Sequence, residues 1–143
     1  MDAAAKTKQW KPAPGETPFE ILGGADTNRD LVERCYDAMD RDEPALAGLH
    51  EQDEAGKVSR RSRDNFYHFL CFWLGGPRDY LEQRGHPRLR MRHAPFVVDI
   101  AMRDAWLRSM TTALEEIGIQ GEVRTFLDER FAHVADFLRN VEE

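Results

Sequence analysis

A chain of 143 residues is long enough for one globular domain with a sizeable core. Its net charge of −6 at pH 7 makes the molecule as a whole a poor binder of nucleic acid. The sequence has no secretory leader and no apolar run near the roughly 20 residues of a membrane helix, so we expect a cytoplasmic protein that does not bind membranes.

The first 17 residues are polar and include Pro12 and Pro14, which predicts a flexible arm (1–17) ahead of a single globular domain at 18–143. Trp10 lies in this arm, and we interpret it as an anchor on the domain surface rather than a partner-docking residue. Cys35 and Cys71 are expected to be buried thiols, with a disulfide between them as the alternative.

The first predicted helix is capped by Thr17, begins with the following proline, and ends after barely two turns at Gly23-Gly24. A second helix is predicted from Asp26–Thr27 onward, because apolar residues then recur at helical spacing: Leu31, Val32, Cys35, Tyr36 and Met39. After this helix, Pro44 begins a short helical piece that ends near His50.

Residues 51–61 are polar and give no clear assignment. From Ser62 the pattern predicts a helix that is apolar and aromatic around most of its final turns, and is therefore buried on more than one side. This helix ends at Gly75-Gly76-Pro77. Short helices are predicted over Asp79–Arg84, before Gly85, and just ahead of Pro95.

Two long amphipathic helices follow. One runs from Ile100 to a stop at Gly118, and the other carries apolar residues from Val123 to Val141 at alternating spacings of four and three. No segment shows the sustained period of two that strands require. The sequence therefore predicts an all-α fold.

The common catalytic motifs are missing from the sequence: it has no glycine-rich phosphate loop, nucleophile elbow, HExxH or CxxC. Two histidines, His68 and His133, lie among charged or small residues and are expected near the surface. The segment Arg84–Phe96 is distinctive because it combines His86 and His93 with four arginines. It can be a solvated turn, a contact for phosphate or nucleic acid, or a site for a cofactor with one metal and two carboxylates.

The cofactor interpretation gains support from an aromatic face on the helix that begins near Ser62. Phe66, Phe69 and Trp73 lie on this face, and a flat apolar macrocycle needs a wide wall of such side chains. By periodicity alone, however, such an aromatic stripe is more often ordinary core packing than a cofactor wall.

Four stretches give the chain a specific resemblance, and they span Phe19 to about Asn140. They are Gly23-Gly24, WLGGP at Trp73–Pro77, YLEQRGHPRLRMRHAPF at Tyr80–Phe96, and RDAWL at Arg103–Leu107. With these motifs in this order the sequence resembles the truncated haemoglobins, and within them group II. The resemblance implies a two-over-two helical sandwich around haem b, a haem that contains iron.

The resemblance also implies which residues hold the haem. His93 corresponds to the proximal iron ligand, the usual fifth ligand of a globin. Arg92 corresponds to a residue that pairs with a haem propionate, and Phe96 is expected to pack near the haem on the proximal side. The distal wall is assigned to Ser62, Phe66, Phe69 and Leu70.

Tyr36 and Trp106 correspond to the distal residues whose hydroxyl and indole N–H point to the ligand. A dioxygen ligand acquires negative charge, and a hydrogen bond to a charged acceptor contributes about 1.5–3 kcal/mol. His50 falls where family members carry tyrosine, phenylalanine or histidine facing the haem edge or the ligand, and a surface position at a helix end is its alternative. The chain departs from the family pattern in a few extra residues around 55–59 and in VVDIAM after Phe96.

The resemblance therefore predicts a haem protein that reversibly binds dioxygen, NO or CO. Turnover as an NO dioxygenase or peroxidase-like enzyme would need an external reductase, because the sequence contains no flavin motif. A monomer and a homodimer are both open, and nucleic acid is not an expected partner. The alternative from another class is a haem-free helical interaction or sensor domain, against which the retained His93 and Arg92 argue.

Overall fold

The computed structural model describes residues 13–141, which contain eight helices and no strand. The helices are α1 (Pro18–Ile21), α2 (Gly24–Asp42), α3 (Pro44–Ala47), α4 (Arg60–Trp73), α5 (Asp79–Arg84), α6 (Leu89–His93), α7 (Ile100–Ile117) and α8 (Gly121–Phe137). The predicted all-α class is confirmed. None of these helices combines the length and hydropathy needed to span a bilayer.

The core lies where the four long helices meet. Helix α2 packs against both α7 and α4, and α8 packs against α7. Each of these helices contributes side chains with almost no exposed surface, which are Leu31, Met39, Leu70, Met110, Leu114 and Leu127. Burial of one such side chain contributes about 1.5–3 kcal/mol, so this interior holds the pair α2 and α4 against the pair α7 and α8.

Polar side chains fix the starts of three helices. The Thr17 hydroxyl accepts the Glu20 N–H at 3.2 Å, and the Ser59 hydroxyl accepts the Ser62 N–H at 3.1 Å. The Asp99 carboxylate accepts the Met102 N–H at 2.8 Å. Each bond satisfies one of the backbone donors that a helix start leaves free, and the predicted Thr17 cap is confirmed.

Two predicted helix starts need correction. Helix α2 begins at Gly24 rather than near Asp26, and α1 spans only one turn. Gly23, with φ of 112°, makes the turn between them, and the Asn28 amide donates to the Gly24 carbonyl at 2.7 Å, which extends the helix backwards. Helix α4 begins at Arg60, two residues before Ser62, because Ser59 caps it.

The predicted end of the last helix is also wrong. Helix α8 stops at Phe137, and Val141 lies beyond it with 39% of its surface exposed. The chain turns because Asn140 bonds to the segment before α7. Its N–H donates to the Val98 carbonyl at 3.0 Å, and its side-chain oxygen accepts the Val98 N–H at 2.9 Å.

The loop between α3 and α4, which the sequence left unassigned, is tied to the core. Val58 is 1% exposed, and its N–H donates to the Asp40 carboxylate at 3.1 Å. Asp53 accepts the N–H groups of Ala55 and Lys57 and so turns the loop back on itself. This loop lies immediately after His50 in the chain.

Residues 1–12 and 142–143 lie outside the described part of the chain. The predictions of a flexible arm at 1–17 and of an anchoring role for Trp10 therefore fall mostly on residues of which the structure says nothing.

Candidate functional site

His93, the last residue of α6, has its ring oriented by its own helix. Nδ1 lies 2.7 Å from the Leu89 carbonyl oxygen, one turn earlier. Because a carbonyl oxygen can only accept, Nδ1 carries the hydrogen and donates it. The ring is half-buried, and Nε2 keeps its lone pair, which is the state in which a histidine binds a metal.

His50 is a second oriented imidazole, shortly after α3. Its Nδ1 lies 3.0 Å from the Leu46 carbonyl oxygen, and its ring meets the Tyr36 ring edge-on at 5.5 Å between centroids. Burial lowers the pKa of His50, the Leu46 carbonyl opposes this, and a positive charge on His93 lowers the pKa further. The lowered pKa favours the neutral form of His50.

The three predicted distal residues lie in one connected aromatic cluster. Tyr36 contacts His50 directly, and its ring meets Phe66 edge-on at 5.7 Å. Phe66 in turn meets Trp106 edge-on at 6.2 Å. Tyr36 is 6% exposed and burial raises the pKa of its hydroxyl, so the hydroxyl keeps its proton and can donate it.

The remaining predicted wall residues are divided between this cluster and the core. Phe69 lies about one turn after Phe66 on α4. Its ring stacks on Trp73 at 6.5 Å and meets Tyr80 edge-on at 5.5 Å between centroids. Leu70 has no exposed surface and lies within the core. Phe131 joins the two ends, because it contacts both Trp73 at 5.2 Å and Trp106 at 5.6 Å.

Exposed apolar side chains follow His93 closely in the chain. Phe96, Val97 and Ile100 expose 40%, 61% and 39% of their surfaces. Three large apolar side chains left open within five residues are unusual for a folded surface and indicate an apolar partner. A flat apolar group ligated by Nε2 of His93 would cover such a surface, so the residues present fit the haem that the resemblance implies.

Arg92 lies beside His93 on α6 and is half-buried. Its Nε donates to the Pro87 carbonyl at 2.7 Å, and among residues 13–141 it forms no ion pair. The rest of its guanidinium is therefore available to a carboxylate, as expected for a residue that pairs with a haem propionate.

The sequence interpretation missed a buried ionic cluster behind Tyr36. The Arg63 side chain is 7% exposed and donates to Asp40 at 2.8 Å, to Asp37 at 2.8 Å and to Glu33 at 3.0 Å. Its guanidinium carbon lies 5.7 Å from the centroid of the Tyr36 ring. A signal was present, because Arg63 falls on the same helical face as Phe66 and Leu70.

Both cysteines are buried and free. Burial raises the pKa of the Cys35 thiol to about 12. The thiols therefore behave as small apolar side chains, and the alternative of a disulfide between them is not observed.

Comparisons with known proteins agree on one family over nearly the whole chain. A family model described as bacterial-like globin matches residues 17–140. The chain is 34% identical over 126 residues to the group 2 truncated hemoglobin YjbI of Bacillus subtilis (strain 168), which covers 88% of this chain and 90% of that protein.

Two solved structures show the same similarity in three dimensions. The group II truncated hemoglobin of Bacillus anthracis superposes with a TM-score of 0.80 at 33% identity, over 89% of this chain and 98% of that one. A truncated oxygen-avid haemoglobin from Bacillus subtilis superposes with a TM-score of 0.78 at 33% identity, over 87% and 100% of the two chains. These superpositions confirm the helical sandwich predicted from the sequence.

Proposed function

Since this chain belongs to the bacterial-like globin family, among the group II truncated haemoglobins, we propose that His93 ligates a haem b iron through Nε2. The chain is a haem globin that binds oxygen. The observation that carries the assignment of His93 is its hydrogen bond to the Leu89 carbonyl, which leaves Nε2 as the ligand nitrogen beside an open apolar surface. When bound, the haem supplies an iron with one coordination position open to a diatomic ligand.

The side chains of the distal cluster stabilise the ligand. The Tyr36 hydroxyl and the Trp106 indole N–H donate hydrogen bonds to it, and His50 lies against Tyr36 at the edge of the same pocket. Each charge-assisted hydrogen bond contributes about 1.5–3 kcal/mol, which slows ligand release by roughly 10- to 150-fold. High oxygen affinity follows, and the relative from Bacillus subtilis is itself described as oxygen-avid.

Apolar side chains hold the haem ring, and one arginine holds its edge. Phe66 and Phe69 form the distal wall with Leu70 behind them, while Phe96 covers the proximal face. The unengaged part of the Arg92 guanidinium pairs with a propionate. The apolar wall excludes water, which strengthens the hydrogen bonds of the distal donors.

The physiological chemistry extends from oxygen to related diatomic ligands. NO and CO have the size and polarity to enter the same pocket. NO dioxygenation or peroxide reduction at this site requires electrons from an external reductase. We place the protein in the cytoplasm as a monomer or homodimer that acts without nucleic acid.

Replacement of the distal donors tests the pocket. We expect Tyr36→Phe and Trp106→Leu each to raise the dioxygen dissociation rate by about 10- to 150-fold, because each removes one donor to the ligand. Stopped-flow displacement of dioxygen by CO measures the rate. The distal assignment is wrong if both variants release dioxygen at the wild-type rate.

His93→Ala tests the proximal ligand. We expect its Soret absorbance to fall or its haem to become readily extractable into apomyoglobin. His133→Ala is the matched control, because His133 is an exposed histidine on α8. Equal haem retention in the two variants contradicts ligation by His93.

A further inference from the structure

The arginines of three long helices differ from those of the segment before His93. On α2, α4 and α7 every arginine lies in an ion pair with a carboxylate. The four arginines between positions 84 and 92, by contrast, form no ion pair with any residue in the range 13–141. No aspartate or glutamate occurs between positions 83 and 98. We call the exposed members of this second group, together with the intervening histidine, the basic surface: Arg84, His86, Arg88 and Arg90.

The basic surface lies on α6 and in the segment just before it, within ten residues of the haem ligand. On α6, Leu89, Arg92 and His93 are half-buried, whereas Arg90 and Met91 are exposed. Because a helix with its side chains is only about 10 Å thick, a protein docked on α6 lies close to the haem. Met91, 58% exposed, gives the surface an apolar centre among its charges.

Arg88 has a backbone conformation that is unusual for a residue with a side chain. Among residues 13–141 it is the only non-glycine residue with a positive φ, at 46°, in a left-handed conformation. Its N–H donates to Nδ1 of His86 at 3.1 Å, which holds the turn. Glycine would adopt this conformation without steric cost, and strained non-glycine residues cluster at functional sites.

A haem has fewer carboxylates than this segment has arginines. It has two propionates, and the half-buried Arg92 is placed to take one of them. The Arg88 and Arg90 side chains are exposed, and the Arg90 guanidinium carbon lies 4.8 Å from the centroid of the Phe137 ring. In a molecule of net charge −6, a local cluster of positive charge attracts an acidic protein to one face while the rest of the surface repels it.

We propose that the basic surface is the docking site for an acidic one-electron carrier protein of the [2Fe–2S] ferredoxin class. This inference rests on the proposed function and names the external reductant. The reduced carrier loses one electron, the ferric haem iron gains it and becomes ferrous, and no covalent bond forms or breaks. An acidic protein fits this surface better than a nucleic acid does. DNA binding uses many phosphate contacts, whereas this chain offers only a few positive charges on a molecule that is acidic as a whole.

The test uses haem-loaded protein and a plant-type [2Fe–2S] ferredoxin as the probe. The docking variant is R84Q/R88G/R90Q, and the control variant R34Q/R41Q/R61Q removes three positive charges from α2 and α4. Calorimetry with oxidised ferredoxin at low ionic strength measures binding, and stopped-flow mixing with reduced ferredoxin measures haem reduction. We expect the docking variant to weaken both at least tenfold, the control variant to change either less than twofold, and added salt to reduce the difference.

The single variant Arg88→Gly separates docking from folding. We expect it to weaken ferredoxin binding while its thermal midpoint stays the same or rises, because glycine relieves the strain at this position. A purely structural role for Arg88 predicts instead that stability falls and binding does not change.

Several outcomes overturn the proposal. Equal losses in the docking and control variants show that only the overall charge matters. Binding to a DNA duplex or to phosphatidylglycerol vesicles that depends on Arg84, Arg88 and Arg90, with ferredoxin binding unaffected, assigns the surface to another polyanion. Failure of the proposed function can be told apart from failure of the docking proposal. A protein that does not bind haem shows no Soret band in any variant, and calorimetry on the purified protein still decides whether ferredoxin docks.

Discussion

Arg63 shows how a single side chain organises the distal side of the molecule. Its guanidinium joins Asp40 on α2 to the Val58 carbonyl of the loop before α4, at 2.8 Å and 3.0 Å. The same Asp40 accepts the Val58 N–H, so one ion pair holds both the loop and the helix that carries Tyr36. Because the Arg63 and Asp40 side chains are only 7% and 5% exposed, neither charge can be solvated by water if the other is removed.

We therefore expect Arg63→Met to lower the free energy of unfolding by about 3–5 kcal/mol, since it leaves a buried carboxylate without its partner. Urea denaturation measures the change. Arg61→Met is the matched control, because Arg61 is 76% exposed and should cost less than about 0.5 kcal/mol. A similar small effect of both substitutions would show that the buried cluster does not stabilise the fold.

At the scale of elements, α2 and α4 are held together by charges as well as by apolar packing. Glu33 on α2 accepts hydrogen bonds from Arg60 and Arg63 on α4. Burial acts to raise the pKa of Glu33, but these two arginines outweigh it and hold the pKa below its usual value. The folded chain therefore binds a proton at Glu33 only at lower pH than the unfolded chain does.

This difference gives the contact between α2 and α4 an acid dependence. Stability from Glu33 is present above its ordinary pKa of about 4.5 and is lost as the pH falls through its lower folded value. We expect Glu33→Gln to lower the free energy of unfolding by about 1–3 kcal/mol at pH 7 and to approach wild type as the pH falls below the folded pKa of Glu33. Urea denaturation across this range, with the exposed Glu122→Gln as control, checks the prediction; a gap that stays constant with pH would contradict it.

At the scale of the whole molecule, the polypeptide leaves part of its apolar surface for the haem to cover. Phe96, Val97 and Ile100 stay exposed shortly after His93, whereas side chains between α2 and α7 such as Leu31, Met39 and Met110 are buried. A ligand that binds only the folded chain stabilises it by mass action, by about 4 kcal/mol at a thousand times its dissociation constant. The haem thus completes the fold in addition to supplying the chemistry.

We expect the haem-free protein to bind the dye anilinonaphthalene sulfonate and to lose it on titration with one equivalent of hemin. The thermal midpoint should rise in the same titration, because hemin buries the open apolar surface. Dye fluorescence and calorimetry measure the two effects. Phe96→Ser should reduce dye binding, with Ile21→Ser on α1 as the control; dye that stays bound in the presence of excess hemin would contradict the prediction.

Local signals determined most of the fold. The bounds predicted for α5 and for the end of α7 agree with the structure, because Gly85 and Gly118 stop these helices through their own backbone freedom. The Thr17 cap is equally local. The predicted starts of α2 and α4 and the end of α8 are wrong because Asn28, Ser59 and Asn140 act through hydrogen bonds that periodicity does not reveal.

The sequence by itself drew attention to His93 in its arginine-rich segment, whereas Tyr36 and Trp106 became candidates through the resemblance to the group II truncated haemoglobins. Only the tertiary structure brought Tyr36, His50 and Phe66 into contact and buried Arg63 among carboxylates from α2. The physical reason is that hydrophobic periodicity and capping act within a few residues, whereas ion pairing and burial depend on which distant segments meet. The same holds for the basic surface, because only the folded structure shows that its arginines form no ion pair within residues 13–141.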